Sequence, residues 1–266
     1  MSTQISYNSF DLQDTVFKTS NILYRNLPDK VVNILPQSRR DGFFLQSTYY
    51  TKKDINIVGS ITRDSAANLK TSIDSMKEAL HKNESNLDII EGGVTTRWVC
   101  SVSSIDVPEK NYNLAQVPFN ISFVCQPLGS ATSSTNDSKT ITNASASPYV
   151  NTFNPVGSAP PLPTLKWTCS GAPTAAITQI VFANINTGTS MTVASLALDA
   201  NGDYLEIDCD NMTVKVSHDG GAASAIDFSG VFPTFLATSN SYNLTITGGS
   251  TTWALDQDID YYAKYL

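Results

Sequence analysis

Val117-Pro118-Phe119-Asn120-Ile121-Ser122-Phe123-Val124-Cys125 is the stretch that decides the fold. Val117, Phe119, Ile121, Phe123 and Cys125 fall on one side of an extended chain. Pro118, Asn120 and Ser122 fall on the other, the period-two signature of a half-buried strand. Pro118 has no N–H to give to a ladder, which assigns it to an edge position or a strand start. Trp98, Cys100 and Val102 make a second inward row, and Lys53–Gly59 makes a weaker strand leading into a different pattern.

That pattern is helical. Leu69, Ile73, Met76 and Leu80 recur with spacings of 4, 3 and 4, while Lys70, Asp74, Lys77 and Glu78 take the opposite face. Asp64 or Ser65 supplies an N-cap and Asn83 or Asn86 a stop, so the spacing predicts one amphipathic helix over 65–82. His81, at its tail, favours the negative end of the helix dipole.

The second half reads as all-β. Leu205, Ile207 and Cys209 alternate with Glu206, Asp208 and Asp210. Met212, Val214 and Val216 resume the inward row after a turn at Asp210-Asn211. Tyr242, Leu244 and Ile246 make a further strand, and Ile259, Tyr261 and Ala263 the last. Asn186-Thr187-Gly188 and Asn201-Gly202 are turn signals, the latter suiting a two-residue hairpin. Short strands at this spacing, without helices, indicate a sandwich or jelly roll. Between the halves, the Ser/Thr-rich run 130–142 lacks apolar periodicity, and Pro155, Pro160, Pro161 and Pro163 follow it. The expected organisation is a mainly β chain: residues 1–130 as an N-terminal β-sandwich with one helix, 131–163 as a linker, and 164–266 as a C-terminal β-sandwich.

Length and charge agree with two domains and narrow the function. The 266 residues exceed the roughly 250 at which one core stops growing. Charged residues are 15%, against about 25% in ordinary soluble domains, and Ser, Thr and Asn fill about 30% of positions, so the surface is mostly neutral and polar. Residues 1–150 carry 14 Lys+Arg and 14 Asp+Glu; residues 151–266 carry 3 and 10, the whole net charge of −7. Three basic residues in half a chain argue against nucleic acid as a partner, because affinity there rests on neutralising phosphates. No run of 18 apolar residues is present, so no membrane-spanning helix is expected. The N-terminus lacks a basic segment followed by an apolar one, so no secretory signal is expected either.

Candidate chemistry is thin. HExxH, GxSxG and P-loop patterns are absent. His218 lies in the turn-like Ser217-His218-Asp219-Gly220-Gly221. Asp199, Asp203, Glu206, Asp208 and Asp210 crowd together, and a carboxylate hydrolase would rest on Asp203 and Glu206. A glycosidase pair, however, needs one carboxyl in an apolar pocket. Asp199-Ala200-Asn201-Gly202-Asp203 has its glycine in the wrong place for a calcium loop. A solvated hairpin is the reading adopted, with Glu206, Asp208 and Asp210 as an outward acidic row facing a partner. Trp167 and Trp253 are candidates for stacking sugars, or else core residues. Cys100, Cys125, Cys169 and Cys209 have no metal-type spacing; they read as free buried thiols, with disulfides left open for an oxidising compartment. No catalytic residue, metal or cofactor is expected.

Two ordered sets of segments go beyond periodicity. The first is Asp41-Gly42-Phe43-Phe44, Ile55-Asn56-Ile57-Val58-Gly59-Ser60-Ile61, the helix, Leu87-Asp88-Ile89 and Val117–Phe123. The second is Asn186-Thr187-Gly188, Gly202–Asp208, Asp227-Phe228-Ser229-Gly230-Val231-Phe232-Pro233 and Ser239-Asn240. In this order they resemble the distal tail proteins of siphovirus-type bacteriophages, over nearly the whole chain. The resemblance implies a structural virion protein. Its N-terminal domain would form a hexameric ring (a homohexamer) between the tail tube protein and the tail-associated hub protein. Its C-terminal galectin-like or carbohydrate-module-like sandwich would anchor receptor-binding or side-fibre proteins. The implied location is the phage tail tip, after assembly in the host bacterial cytoplasm. A soluble carbohydrate-binding lectin is the alternative.

Overall fold

The computed structural model describes residues 3–36, 43–108, 116–142, 148–171, 175–248 and 254–266. The chain divides into two compact units: Met1–Thr132 with Tyr265–Leu266, and Ser133–Lys264.

Unit 1 begins with β1 (Gln4–Tyr7), β2 (Phe10–Asp11), β3 (Phe17–Leu23), β4 (Lys30–Pro36), β5 (Phe43–Tyr50) and β6 (Lys53–Thr62). The helix α1 (Ala66–Leu80) follows, then β7 (Ser85–Glu91), β8 (Val94–Asp106), β9 (Gln116–Cys125) and β10 (Gly129–Ala131). Unit 2 contains β11 (Thr135–Thr142), β12 (Tyr149–Phe153), β13 (Thr164–Cys169), β14 (Ile177–Asn184), β15 (Thr189–Leu198) and β16 (Tyr204–Asp208). It continues with β17 (Thr213–Ser217), β18 (Ser224–Ala225), β19 (Phe228–Gly230), β20 (Asn240–Gly248) and β21 (Ala254–Tyr261); β22 (Lys264–Tyr265) ends the chain. The described residues are mainly β with one helix, as the periodicity predicts.

The main sheet of unit 1 runs β2-β1-β7-β8-β9-β6-β3, with β10 and β22 attached beside it. All five inward residues read from β9 are buried. Pro118 sits opposite Ser60 of β6, whereas pairing with β8 runs only from Cys125 to Asn120. Among the described residues, the proline therefore has a ladder partner on one flank of the strand only. Ser65 caps α1 by accepting from the Asn68 N–H, and Leu69, Ile73, Met76 and Leu80 bury the helix stripe against the sheet core. Gly59 is required by close approach: a Cβ there would lie 2.5 Å from Phe119 Cζ and 2.6 Å from the Lys18 carbonyl oxygen.

The free-thiol reading is corrected for two of the four cysteines. Cys100 and Cys125 are direct cross-strand partners on β8 and β9 and form a disulfide, while Cys169 and Cys209 are free and buried. The 25-residue separation hides the contact because it is made by strand register. On the other flank Cys125 is opposite Lys53, which is only 1% exposed; its Nζ sits 5.3 Å from the Trp98 ring centroid and makes no hydrogen bond. Burial lowers the Lys53 pKa.

β4 and β5 form a separate two-stranded sheet. Val32, Ile34, Leu35, Leu45 and Tyr49 on this arm are all at least half exposed. Such a ribbon is marginal in water without a surface to lie on.

Unit 2 is a sandwich of a six-stranded sheet, β11-β21-β13-β16-β17-β18, and a five-stranded sheet, β12-β20-β14-β15-β19. Both contribute to one core, where Trp167 of the first approaches Phe182 of the second at 6.0 Å between ring centroids. Two expectations are corrected here. The stretch 131–163, expected as linker, contains β11 and β12, each at a sheet edge. Asn201-Gly202 joins no hairpin, because β15 and β16 lie in different sheets and the turn carries the chain across the sandwich. Met212, expected inward, sits in the turn before β17 with a positive φ of 52° and is exposed, whereas Val214 and Val216 are buried.

Candidate functional site

Charge in unit 2 is organised by sheet. On the outward face of the six-stranded sheet, register sets Ser138, Asp258, Lys166, Glu206 and Lys215 in one row across five strands. The next row holds Asn136, Asp260, Thr164, Asp208 and Thr213, and Asp256 lies on the other side opposite Thr140. Five carboxylates thus share the face with two lysines. Lys166 Nζ also lies 4.0 Å from the Tyr204 ring centroid.

β11 explains the Ser/Thr-rich run. Asn136 Nδ2 donates to Asp260 at 2.7 Å, Ser138 Oγ donates to Asp258, and Thr140 Oγ1 donates to Asp256 at 2.8 Å. Amides and hydroxyls pair with the β21 carboxylates one by one, and this polar periodicity has no apolar signal to betray it.

The expected acidic row of Glu206, Asp208 and Asp210 is revised. Glu206 lies between two lysines in register. Asp208 closes the β16–β17 turn, accepting from the Asp210 and Asn211 N–H groups at 3.0 Å each and from Asn211 Nδ2 at 2.7 Å. Partial burial raises its pKa, but those donors and the charge of Lys215 hold it below the usual carboxylate value. Asp210 is exposed beyond the end of the strand. The larger acidic array is therefore Asp256, Asp258 and Asp260 on β21.

Asp203 is fully buried, where a solvated hairpin was expected. Its Oδ2 accepts from the Asp199 and Ala200 N–H groups at 3.0 Å each, and its Oδ1 accepts from the Asp219 N–H at 2.7 Å. His218 Nδ1 lies 3.8 Å away. Burial raises the Asp203 pKa, but the three backbone donors and His218 outweigh it and keep the group ionised. Both oxygens are committed to loop closure.

Among the described residues of this region, no nucleophile is paired with a base. Burial pushes the Cys169 thiol up to about 11 and the Cys209 thiol to about 12, so both are inert at neutral pH. Among the described residues, no group of three or more His, Cys, Asp or Glu could hold a metal ion. The groove between β1 and β3, about 310 Å³, is lined by Gln13, Thr19, Ser20, Asn21, Arg25 and Glu91. Arg25 and Glu91 pair there on an exposed surface, which contributes little.

Trp167 is corrected as a sugar platform. It is completely buried, and its Nε1 donates to Gln257 at 3.2 Å while Gln257 donates to the Tyr242 hydroxyl. Trp253 lies outside the described residues.

No family model matches the chain, and no curated protein does. Solved structures do. The Dit (gp 19.1) protein of phage SPP1, described as a paradigm of the hub adsorption apparatus in phages infecting Gram-positive hosts, aligns over 100% of both chains. The TM-score is 0.70 at 14% identity. The chain has the Dit fold. Two structures of the phage P2 baseplate in its activated conformation, with Ca and with Sr, align more loosely, at TM-scores of 0.40 and 0.38 and 10% identity each. They cover 99% and 97% of this chain and 98% of theirs. The likeness to SPP1 Dit covers both units and not one sandwich alone.

Proposed function

We propose that this protein is a non-enzymatic structural component of a phage tail tip. It forms a homohexameric ring that joins the tail tube protein to the tail-associated hub protein and presents unit 2 to receptor-binding or side-fibre proteins. It is made in the host bacterial cytoplasm and carried in the virion. The observation that carries this reading is the full-length likeness to SPP1 Dit.

Charge and exposure support it. Unit 1 is electrically balanced, so copies can pack through it without net repulsion. Unit 2 holds four Lys against eleven Asp and Glu, so six copies would bring about −42 together. Ring closure needs a heterologous surface on each copy, and the apolar β4–β5 arm offers unit 1 one that water does not suit. The lectin alternative loses its main support with the burial of Trp167.

Light scattering and negative-stain electron microscopy of the purified chain test the proposal. The expected result is a mass near six times 28.7 kDa and ring-shaped particles. A monomer at every concentration, together with its absence from isolated tail tips, would overturn it.

A further inference from the structure

The second sheet of unit 2 has a property opposite to the first. None of the residues in β12, β14, β15, β19 and β20 is charged. Ordinary exposed surfaces intersperse charge at roughly a quarter to a third of positions. Here the outward positions are Ser, Thr, Asn, Gln, Ala and Val. Val150 on β12 is 67% exposed, and Ile185, just after β14, is 54% exposed. Register places Val150 beside Asn243, and Thr245, Val181 and Thr192 in the row next to it. Asn243 Oδ1 is shielded from solvent and accepts no hydrogen bond. By register the aromatic rings of β12, β14 and β20 fall on the inner side, whereas Phe228 of β19 is 41% exposed beside Phe232.

We propose that this uncharged face is a contact between copies: unit 2 of one chain meets unit 2 of another through their five-stranded sheets. Charge selects the occupant. Two units of −7 cannot approach through their six-stranded sheets without setting five carboxylates against five. Through the neutral faces they meet with the acidic faces turned outward, a sandwich thickness from the interface on either side. The interface composition is right, since cores of contacts between proteins are depleted in charge. The face is also self-complementary, because hydroxyls and amides carry both donors and acceptors. About a dozen outward positions fall short of the roughly 20–30 residues per side of a stable interface, so the contact is weak, and because like faces meet it relates two copies by a two-fold axis and not neighbours around one ring.

Cross-linking the full-length chain tests this. Val181→Cys, treated with a short bismaleimide, should link copies; Lys215→Cys, on the opposite sheet, should not. Native cysteines do not interfere, being buried or disulfide-bonded. In sedimentation velocity, Thr245→Lys should raise the concentration for association between units at least ten-fold while circular dichroism stays unchanged. Raising salt from 50 to 500 mM should strengthen the wild-type contact by screening the acidic faces. Equal linking at both cysteines, or a folded Thr245→Lys with unchanged association, would overturn the proposal. Failure of the ring would show differently: masses would stop at pairs, yet Val181→Cys would still link.

Discussion

Asp203 illustrates how one carboxylate can organise two loops. It gathers the N–H groups of Asp199 and Ala200 from its own turn and that of Asp219 from the turn after β17. Asp203→Asn preserves the size but turns one acceptor oxygen into a donor facing N–H groups. It is expected to destabilise unit 2 by about 2–3 kcal/mol, measured by denaturant unfolding. The pH dependence has a definite sign. The folded pKa lies below the ~3.9 of an unfolded Asp, so the stabilisation is complete above that value. It is lost as pH falls through the depressed folded value, and wild type and variant should converge at the acid end. Part of this was legible in the sequence, since Asp203 shares the parity of Leu205, Ile207 and Cys209 and therefore points inward. The Asn201-Gly202 turn signal masked it, and its third donor comes from a residue 16 positions on, which no local pattern contains.

Elements differ in how openly the sequence announces them. β9 and α1 were readable because a buried face imposes period 2 or 3.6 on apolar residues. β11 was not, because an edge strand carrying Asn136, Ser138 and Thr140 owes its place to backbone pairing and to the carboxylates of β21. The Cys100–Cys125 bond was half legible: alternation turned both residues inward, and only register made them partners. The β4–β5 arm is the element with the clearest unmet need. Ile34 and Leu45 are register partners on it, both more than half exposed. Leu45→Asp should change the melting of the isolated chain by no more than about 0.5 kcal/mol, as exposed substitutions do. If the arm lies between copies in the ring, the same change should abolish the hexamer in light scattering.

At the scale of the whole molecule, the sequence assigned the acidity to the second half, and the structure places five of its ten carboxylates on one sheet and the other five in turns and loops. Replacing Asp256, Asp258 and Asp260 with Asn should leave ring assembly intact and weaken capture of a fibre protein in a pull-down with purified tail components. Loss of the ring itself would contradict the outward placement of that face. The division of the chain carries a mechanical consequence. The backbone leaves unit 1 after Thr132, and beyond unit 2 only Tyr265 and Leu266 group with unit 1, so a single peptide crossing joins residues 1–132 covalently to the rest. A protease nick after Thr132 therefore yields two separate polypeptides, since the Cys100–Cys125 bond lies wholly on one side of the cut. Any pull passed along the covalent chain from one unit to the other is carried by that one strand of backbone.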